Sequence, residues 1–387
     1  MRFPEFEGEW EKCKLGDIAT GFDYGMNAPA KVFDGVNKYI RITDIDEASS
    51  TYNDSDIVSP DGTLTDTYLV NERDILLART GASTGKSYLY KKTDGKLYFA
   101  GFLIRANVPE HNPYFVFSQL HTHRYWKWVS IMSARSGQPG INSQEYSTFP
   151  IYTTSIQEER KISKLLSLLD ERIATQSKLI EDLKKLKSAI IDYAINSLDT
   201  DFAKFGSLYE MAGEGGTPTT SNASFYDNGK IPFVKIDDLK KKYLTENKDF
   251  ITELGLQKSS AWLVPTRSIL FSNGATIGEI TITTYPVCTK QGILGIVPKP
   301  NIDVEFLYYF MSSSYFKKAV SRIVTEGTMK TAYLKDINNI RCPIPKKEKQ
   351  LDIAKMPSAL NFKIDFEQSI LKLFGSQKQY LLRQMFM

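Results

Sequence analysis

The sequence contains little cysteine. Its 387 residues include three cysteines, Cys13, Cys288 and Cys342, which lie far apart. This spacing argues against a disulfide framework or a Cys-x-x-Cys metal site and favours a reducing compartment. No apolar run approaches the roughly 18 residues that a membrane-spanning helix needs, and the first residues lack the charged and apolar regions of a signal peptide. We therefore expect a cytoplasmic protein.

The sequence also lacks a large net charge. It has 49 Lys and Arg against 45 Asp and Glu, a net charge of +4 that does not by itself indicate nucleic-acid binding. With 42% hydrophobic and 24% charged residues, the composition is that of an ordinary globular protein. At roughly 100 to 200 residues per domain, we expect two or three domains.

Motifs for catalysis are missing as well. There is no Asn or Asp followed by Pro-Pro-Tyr and no glycine-rich fingerprint of a methyl-donor cofactor, so we do not expect the chain to methylate DNA itself. His121 and His123 alternate as metal ligands do, but no third ligand is near, so a structural role is favoured. We predict no catalytic residues, no metal site and no cofactor.

One glycine-flanked loop resembles a phosphate-binding loop. Gly81 and Gly85 precede a lysine, but three residues separate these glycines where the phosphate-loop motif requires four. The equivalent loop, from Gly274 to Gly278, is followed by Glu279 and lacks the lysine. We interpret the pair as contact loops that vary on a shared scaffold; a plain turn between strands is the alternative.

These loops belong to a repeat that covers nearly the whole chain. Residues 40–45 (IRITDI) return as residues 234–239 (VKIDDL), and the apolar strand at 75–77 returns at 269–271. The offset is 193 to 194 residues here and 191 to 193 further on. A period near half the length indicates two copies rather than a solenoid.

Each copy divides into a globular part and a long helix. Short apolar runs with Gly, Asn, Asp and Pro between them predict α+β domains at residues 1–153 and 200–345. Residues 154–198 and 346–386 have helical periodicity instead, and Pro357 should kink the second helix or mark a restart. The predicted fold is therefore α+β, with two pseudo-symmetric domains joined by two long helices.

Both helices have the apolar seam of a coiled coil. Apolar residues follow steps of four and three, interrupted in the first seam by Gln176 and Lys187 and in the second by Glu367 and Lys378. A helix of about 40 residues is ~60 Å long, too long to be covered by one domain with a radius of gyration of ~15 Å. We expect the two helices to pair with each other, although packing on other subunits remains open.

The polar interruptions favour antiparallel pairing. A parallel pair in equivalent register would place Lys187 against Lys378, which is costly. If one helix is reversed so that the numbers of each facing pair of residues add to 554, Lys187 lies against Glu367 and Gln176 lies against Lys378. In this register the neighbouring layers are apolar: Ile180 with Phe374, and Leu183 with Leu371.

Charge is distributed unevenly along the first copy. Residues 1–78 have 7 basic and 16 acidic side chains, whereas residues 79–135 have 9 basic and 2 acidic ones. Basic stretches with interleaved aromatic residues suit contact with a DNA backbone, although a basic run is most often a solvated surface and alone is weak evidence for DNA. The candidate DNA-binding residues are Arg41, Arg79, Ser83, Lys86, Arg105, Arg135, Lys235, Asn273, Thr276, Lys290 and Lys330.

Three further motifs point to a known family. They are the KLGDI segment at 14–18 with its echo at 204–208, the DILLARTG segment at 74–81, and the FPI and QEERKI segments that lead into LLSLLD at 165–170. With the duplicated plan, they make the chain resemble the specificity subunit of Type I restriction-modification systems over its whole length.

The resemblance implies a function without catalysis. In this family each of two target-recognition domains reads one half of a bipartite, asymmetric site in double-stranded DNA, and the conserved helices dock modification subunits, two of them in this interpretation. Restriction subunits join through the modification subunits, and methylation and cleavage belong to these partners. The alternative interpretation is a structural coiled-coil adaptor whose globular ends bind protein.

Overall fold

A computed structural model describes residues 2–134, 137–274, 276–324 and 330–386. The chain forms two compact units. Unit 1 comprises Met1–Ser177 and Ser369–Met387, and unit 2 comprises Lys178–Gln368. Each unit contains one copy of the repeat together with one part of each long helix.

In its described residues, unit 1 combines short strands with four short α-helices. Its strands are β1 (Glu11–Lys14), β2 (Thr20–Tyr24), β3 (Ala30–Val32), β4 (Lys38–Ile40), β5 (Val58–Pro60), β6 (Asp74–Ala78), β7 (Ser87–Leu89), β8 (Leu97–Phe99), β9 (Leu103–Asn107) and β10 (Pro150–Thr153). Its short helices are α1 (Leu15–Ile18), α2 (Pro113–Gln119), α3 (His123–Met132) and α4 (Ser143–Ser147). The main sheet is antiparallel in the order β2-β9-β6-β7, while β4 and β8 pair in parallel, β3 pairs with β5, and β1 pairs with β10.

Unit 2 repeats this plan. Its strands are β11 (Phe202–Lys204), β12 (Tyr209–Glu214), β13 (Ile231–Val234), β14 (Tyr243–Leu244), β15 (Asp249–Ile251), β16 (Ile269–Ser272), β17 (Ile280–Thr283), β18 (Cys288–Thr289), β19 (Ile293–Pro298) and β20 (Arg341–Pro343). Its short helices are α6 (Glu253–Gln257), α7 (Val304–Ser312), α8 (Ser314–Ile323) and α9 (Leu334–Ile337). The main sheet has the order β12-β19-β16-β17-β14, a second has the order β15-β13-β18, and β11 pairs with β20.

The central strand of each main sheet is buried on both faces. In β6, Ile75 and Leu77 enter one apolar cluster while Leu76 and Ala78 enter another. This is the two-residue alternation of a strand whose faces are both covered, and it explains the continuous apolar sequence. The corresponding strand β16 is also buried along its whole length. The α+β class and the duplication predicted from the sequence are confirmed.

The two long helices are α5 (Ile156–Asn196) and α10 (Lys347–Met385). α10 continues through Pro357 as one helix, so a restart at this proline, which the sequence left open, does not occur. The described part of the chain contains no helix long and apolar enough to cross a membrane.

Within each unit the long helices pack against each other. In unit 1, the carboxylate of Asp170 lies 2.6 Å from Lys378 Nζ, and the guanidinium of Arg172 lies 4.4 Å from the centroid of the Phe374 ring. Residue numbers therefore rise along α5 as they fall along α10. In unit 2, Lys187 Nζ donates to Asn361 Oδ1 at 3.0 Å. The predicted antiparallel direction is confirmed.

The predicted register is wrong. Facing numbers were expected to add to 554, but Asp170 with Lys378 and Lys187 with Asn361 each add to 548, and Arg172 with Phe374 adds to 546. The shift is close to one heptad, which again places seam positions of one helix opposite seam positions of the other. The periodicity alone could not distinguish the two registers.

An enclosed histidine joins two segments of unit 1. His121 Nδ1 lies 2.9 Å from the carbonyl oxygen of Phe117, to which it donates, and Nε2 lies 2.9 Å from the Ser50 hydroxyl. Burial, together with the positive charge of Lys378, lowers the pKa of His121 to about 4. In the described residues no three His, Cys, Asp or Glu side chains are grouped to hold a metal ion. His121 therefore has a structural position as a neutral imidazole.

The first prediction tests the helix register. A double-mutant cycle of Asp170→Asn and Lys378→Met should give a coupling free energy of roughly 0.5–1 kcal/mol in urea unfolding, because the two charges attract in a partly buried setting. The coupling should weaken in high salt. The control is the matched cycle of Gln176→Met and Lys378→Met, the pair that the sequence predicted to face each other. Its coupling free energy should be smaller. A stronger Gln176 coupling would contradict the observed register.

The second prediction concerns acid stability. The unfolded chain binds a proton at His121 near pH 6.5, whereas the folded chain does so only near pH 4. The neutral form therefore stabilises the fold above pH 6.5, and this contribution is lost as the pH falls towards 4. Between pH 7 and pH 5 the wild type should lose about 2 kcal/mol more of its unfolding free energy than His121→Gln. Parallel pH profiles of the two proteins would contradict this assignment.

Candidate nucleic-acid interface

A buried glutamate attaches the globular part of unit 1 to its long helix. Glu159, in the first turn of α5, is fully buried. Its carboxylate accepts a hydrogen bond at 2.7 Å from the backbone N–H of Asn112, the residue that caps α2, and lies 2.8 Å from His111 Nδ1. A charge-assisted bond of this kind is stronger than one between neutral groups. It fixes the start of α2 on α5.

Unit 2 has the same attachment with an amide in place of the carboxylate. Gln350, which is 191 residues after Glu159, is buried in the first turn of α10. Its Oε1 accepts from the backbone N–H of Asp303, the capping residue of α7, at 2.8 Å. Its Nε2 donates to the carbonyl oxygens of Pro345 and Asn301. The QEERKI segment at 157–162 and its counterpart EKQLDI at 348–353 thus contain the residues that attach each domain to its helix.

Beyond this joint, backbone hydrogen bonds fix the loops at the ends of the central strands. In unit 1, Arg79 N donates to Phe102 O at 3.0 Å, and Ala100 N donates to Ile40 O at 3.0 Å. Ile141 N donates to Arg79 O at 2.9 Å. These bonds place the residues that follow β4, β6 and β8 side by side. We call this set of strand ends the loop frame of unit 1.

Unit 2 has a loop frame built by equivalent bonds. Asn273 N donates to Gly292 O at 3.0 Å, and Lys290 N donates to Val234 O at 2.9 Å. Ala332 N donates to Asn273 O at 2.9 Å. Three equivalent backbone bonds therefore hold each frame, and the side chains at the bonded positions differ.

A glycine is required beside each frame. A Cβ at Gly25 would lie 2.3 Å from the carbonyl oxygen of Ala100, and a Cβ at Gly215 would lie 2.2 Å from that of Thr289. Both distances are far below van der Waals contact, so only glycine permits this close approach of two backbone segments. The two glycines occupy equivalent places in the repeat.

Arg79 is placed at the frame of unit 1 by an aromatic ring. Its guanidinium lies 4.6 Å from the centroid of the Tyr24 ring, within the range of a cation–π interaction. The Tyr24 hydroxyl accepts a hydrogen bond from Ser143 N at 3.2 Å. This bond, aided by the charge of Arg79, lowers the pKa of Tyr24. The half-buried Arg79 guanidinium therefore lies against an exposed aromatic ring.

The loop with Ser83 and Lys86 is not a phosphate cradle. The amides of Gly81, Thr84, Gly85 and Lys86 donate to carbonyl oxygens of the protein. A phosphate-binding loop needs such amides to point at the ligand. Ser83 is half-buried, and Lys86 Nζ lies 3.4 Å from the exposed carboxylate of Glu47. The structure agrees with the sequence in excluding a phosphate loop.

Arg41 and Arg105 are engaged within unit 1. Arg41 lies 2.8 Å from Asp44 and 3.1 Å from Asp56, and these bonds raise its pKa. Arg105 lies 2.7 Å from Asp23, also donates to two backbone carbonyls, and leaves only 15% of its side chain exposed. Arg105 thus has a structural position, while Arg41 lies beside the loop frame with its charge already paired.

Three candidates of unit 2, Lys235, Lys290 and Asn273, lie at its frame. Lys235 and Lys290 follow the parallel strands β13 and β18, and Lys235 Nζ lies 2.8 Å from Asp249. Lys290, Thr276 and Lys330 are exposed. Asn273, in contrast, is buried, and its side chain donates to Ala332 O, so it supports the frame from inside. The candidate Arg135 lies outside the described residues.

Lys242, the last lysine of the basic run at 240–242, is almost completely buried. The Lys242 side chain is 1% exposed and forms an ion pair with Glu305. Its Nζ also donates to the Tyr309 hydroxyl at 2.8 Å and to Ser358 Oγ on α10 at 2.9 Å. Burial lowers the pKa of Lys242, and Glu305 opposes this shift. Lys242 therefore fastens the globular part of unit 2 to α10 and is not available for DNA.

Sequence reasoning missed two residues at the frame of unit 1. Tyr24 and Phe102 are aromatic side chains with 40% and 58% of their surface exposed. The signal for Phe102 was present, since residues 101–103 belong to the repeat and an aromatic residue there has no counterpart in the second copy. Charge counting does not find such residues.

Comparison with known proteins identifies the family. The model of the Type I restriction modification DNA specificity domain matches residues 7–185 and again residues 199–373. These two matches cover most of the chain. The protein therefore belongs to the Type I restriction-modification DNA specificity family, which confirms the resemblance in the sequence.

Several members of the family are similar in sequence. The specificity subunit of the Type I restriction enzyme MjaIX from Methanocaldococcus jannaschii is 31% identical over 166 residues, or 41% of this chain and 37% of that subunit. The EcoR124I/EcoR124II specificity subunit from Escherichia coli is 24% identical over half of each chain. The MjaVIII specificity subunit, also from M. jannaschii, is 23% identical over 95% of this chain and 89% of that subunit. The chain thus spans less than two thirds of the first two relatives.

A solved structure has the same fold. The crystal structure of a Type I restriction-modification S subunit from M. genitalium aligns with a TM-score of 0.60 and 16% identity, covering 98% of this chain and 96% of that one. At this identity the likeness establishes the fold alone.

The third prediction tests the buried lysine. Lys242→Met should lower the unfolding free energy by roughly 2–4 kcal/mol, because it leaves Glu305 without its cation in a largely buried place. Lys240→Met and Lys241→Met, at positions where the lysines are about 70% exposed, should each change it by less than about 0.5 kcal/mol. Urea unfolding of the three variants measures the difference. If all three are equally stable, the assigned role of Lys242 is wrong.

Proposed function

We propose that this chain is the DNA-recognition subunit of a Type I restriction-modification complex and reads a bipartite, asymmetric site in double-stranded DNA. The observation that supports this best is the pair of matching loop frames with different side chains. One backbone arrangement that presents Arg79 in one copy and lysines in the other suits two domains with a common binding mode and separate sequence preferences. Residues 1–153 would read one half-site and residues 200–345 the other.

The charges at the frames fit this role. Phosphate contacts from Arg and Lys position a protein on DNA, while bonds to base edges specify the sequence. In unit 2, Lys290 and Lys330 are exposed and suit phosphate contact. In unit 1, the oriented guanidinium of Arg79 suits a bidentate bond to guanine. Which of these groups contacts a base depends on how each loop enters a groove.

The long helices suit the docking of modification subunits. Large apolar side chains on them are exposed within each unit, although soluble proteins normally keep such patches small. In unit 1 these are Leu168, Leu373 and Tyr380. In unit 2 they are Leu179, Leu186, Tyr193, Leu351, Met356, Phe362 and Phe366. We propose that two modification subunits cover them and that restriction subunits join through the modification subunits.

The chain itself would be non-catalytic. The described residues contain no metal-binding cluster, and the sequence lacks a methyl-donor motif. Methyl transfer to adenine would therefore require the modification subunit, and no cofactor would bind this chain.

The fourth prediction tests independent reading of the half-sites. The chain is expressed with its modification subunit, and the methylated sites in the host genome are mapped. Exchange of residues 1–153 for the corresponding domain of another specificity subunit should change one half-site and leave the other intact. The reciprocal exchange of residues 200–345 should change only the other half. A change in both halves after either exchange would refute the proposal.

Salt dependence separates this proposal from a protein-binding adaptor. If the loop frames contact phosphates, the affinity of the complex for its site should fall steeply between about 50 and 200 mM salt. An adaptor without DNA contacts would bind genomic fragments weakly at all salt concentrations. Methylation by the chain without its partner would also contradict the proposed division of labour.

A further inference from the structure

Phe102 stands out among the exposed residues of unit 1. It lies between β8 and β9 at the loop frame, with 58% of its surface exposed. A single exposed apolar residue is common in proteins and needs no explanation by itself. Here, however, three further observations concern the same side chain.

The first observation is that hydrogen bonds fix the backbone of Phe102 and of the residues on either side of it. Phe102 O accepts from Arg79 N at 3.0 Å, and the preceding Gly101 N donates to Met26 O at 2.8 Å. The following Leu103 N donates to Ala100 O at 2.8 Å. An exposed ring on a fixed turn loses little conformational entropy on binding, which is the advantage of a preorganised contact.

The second observation is its surroundings. The backbone bond from Arg79 places Phe102 beside the residue whose guanidinium stacks on the exposed ring of Tyr24. A cation and two aromatic rings thus share one edge of unit 1. Proteins that contact bases combine these same groups: Arg for guanine, and apolar side chains for the thymine methyl group or the face of a base.

The third observation is the contrast with unit 2. The bond from Asn273 N to Gly292 O is equivalent to the bond from Arg79 N to Phe102 O. The position of Phe102 is therefore occupied by Gly292, which has a φ of +89° and no side chain. If the ring served the common scaffold, its loss in the second copy would leave a gap in a shared core, yet Phe102 lies outside the apolar clusters of unit 1.

We propose that Phe102 is a specificity-determining residue, which makes an apolar contact with a base of the first half-site. This inference rests on the proposed function and extends it to one side chain. It also gives a physical reason for asymmetry in the target, because the second frame presents no aromatic ring at the equivalent position. Discrimination at one base pair of the first half-site should depend on Phe102.

The fifth prediction tests Phe102→Ala in the complex with the modification subunit. Genome-wide methylation mapping and methylation rates on matched duplexes are compared with the wild type. Discrimination at one base pair of the first half-site should fall by about 5- to 150-fold, the effect of one mismatched base. The second half-site should be unchanged. Phe102→Tyr should retain most of the discrimination, because it keeps the ring.

Controls separate the possible failures. Phe250→Ala removes an exposed ring from β15 of unit 2 and should leave the first half-site unaffected. Equal thermal midpoints for Phe102→Ala and the wild type would show that the fold is intact. An unchanged motif, with rates within twofold of the wild type, would overturn the role of Phe102 alone. A wild-type complex that methylates no bipartite sequence would overturn the proposed function and this inference together.

Discussion

The arrangement of each unit depends on one buried hydrogen bond between a long helix and the start of a short one. The amide of Asn112 donates to Glu159 on α5, and the amide of Asp303 donates to Gln350 on α10. Both acceptors are buried, so leaving the bond unmade would cost the desolvation of two polar groups. The two acceptors differ in charge, yet each accepts the same amide. The bond fixes the start of the helix that follows the main sheet on the long helix of the same unit.

The sequence predicted the parts of the structure that repeat. Each copy has equivalent strands, a buried central strand and a long helix. The same hydrophobic pattern occurs in both copies, so a segment that is ambiguous in one copy can be assigned from the other. The register of the helices was not predictable in this way. A slide of seven residues leaves the heptad positions of a helix pair unchanged. The observed register involves contacts of side chains such as Asp170 and Asn361, which do not belong to the seam pattern.

The candidate site shows a different limit of sequence reasoning. A count of basic residues treats every lysine and arginine as surface charge. Lys242 and Arg105, however, form ion pairs and hydrogen bonds inside their own units. Burial and partners depend on residues that are distant in sequence, such as Ser358 for Lys242. Conversely, Tyr24 and Phe102 are apolar by composition and would be assigned to a core, whereas the backbone bonds of the frame hold them at the surface.

Because the backbone holds the loops, the exposed side chains on them can change without loss of the fold. The bonds that hold the loops join main-chain atoms, as from Arg79 to Phe102 and from Asn273 to Gly292. Glycine is demanded where two backbones approach closely, as at Gly25 and Gly215, and where φ is positive, as at Gly292. Stability therefore resides in the backbone pairing and the core beneath it, while the residues that face solvent can be replaced at little cost to folding. A fold organised in this way can acquire a new binding preference in one copy without disturbing the other.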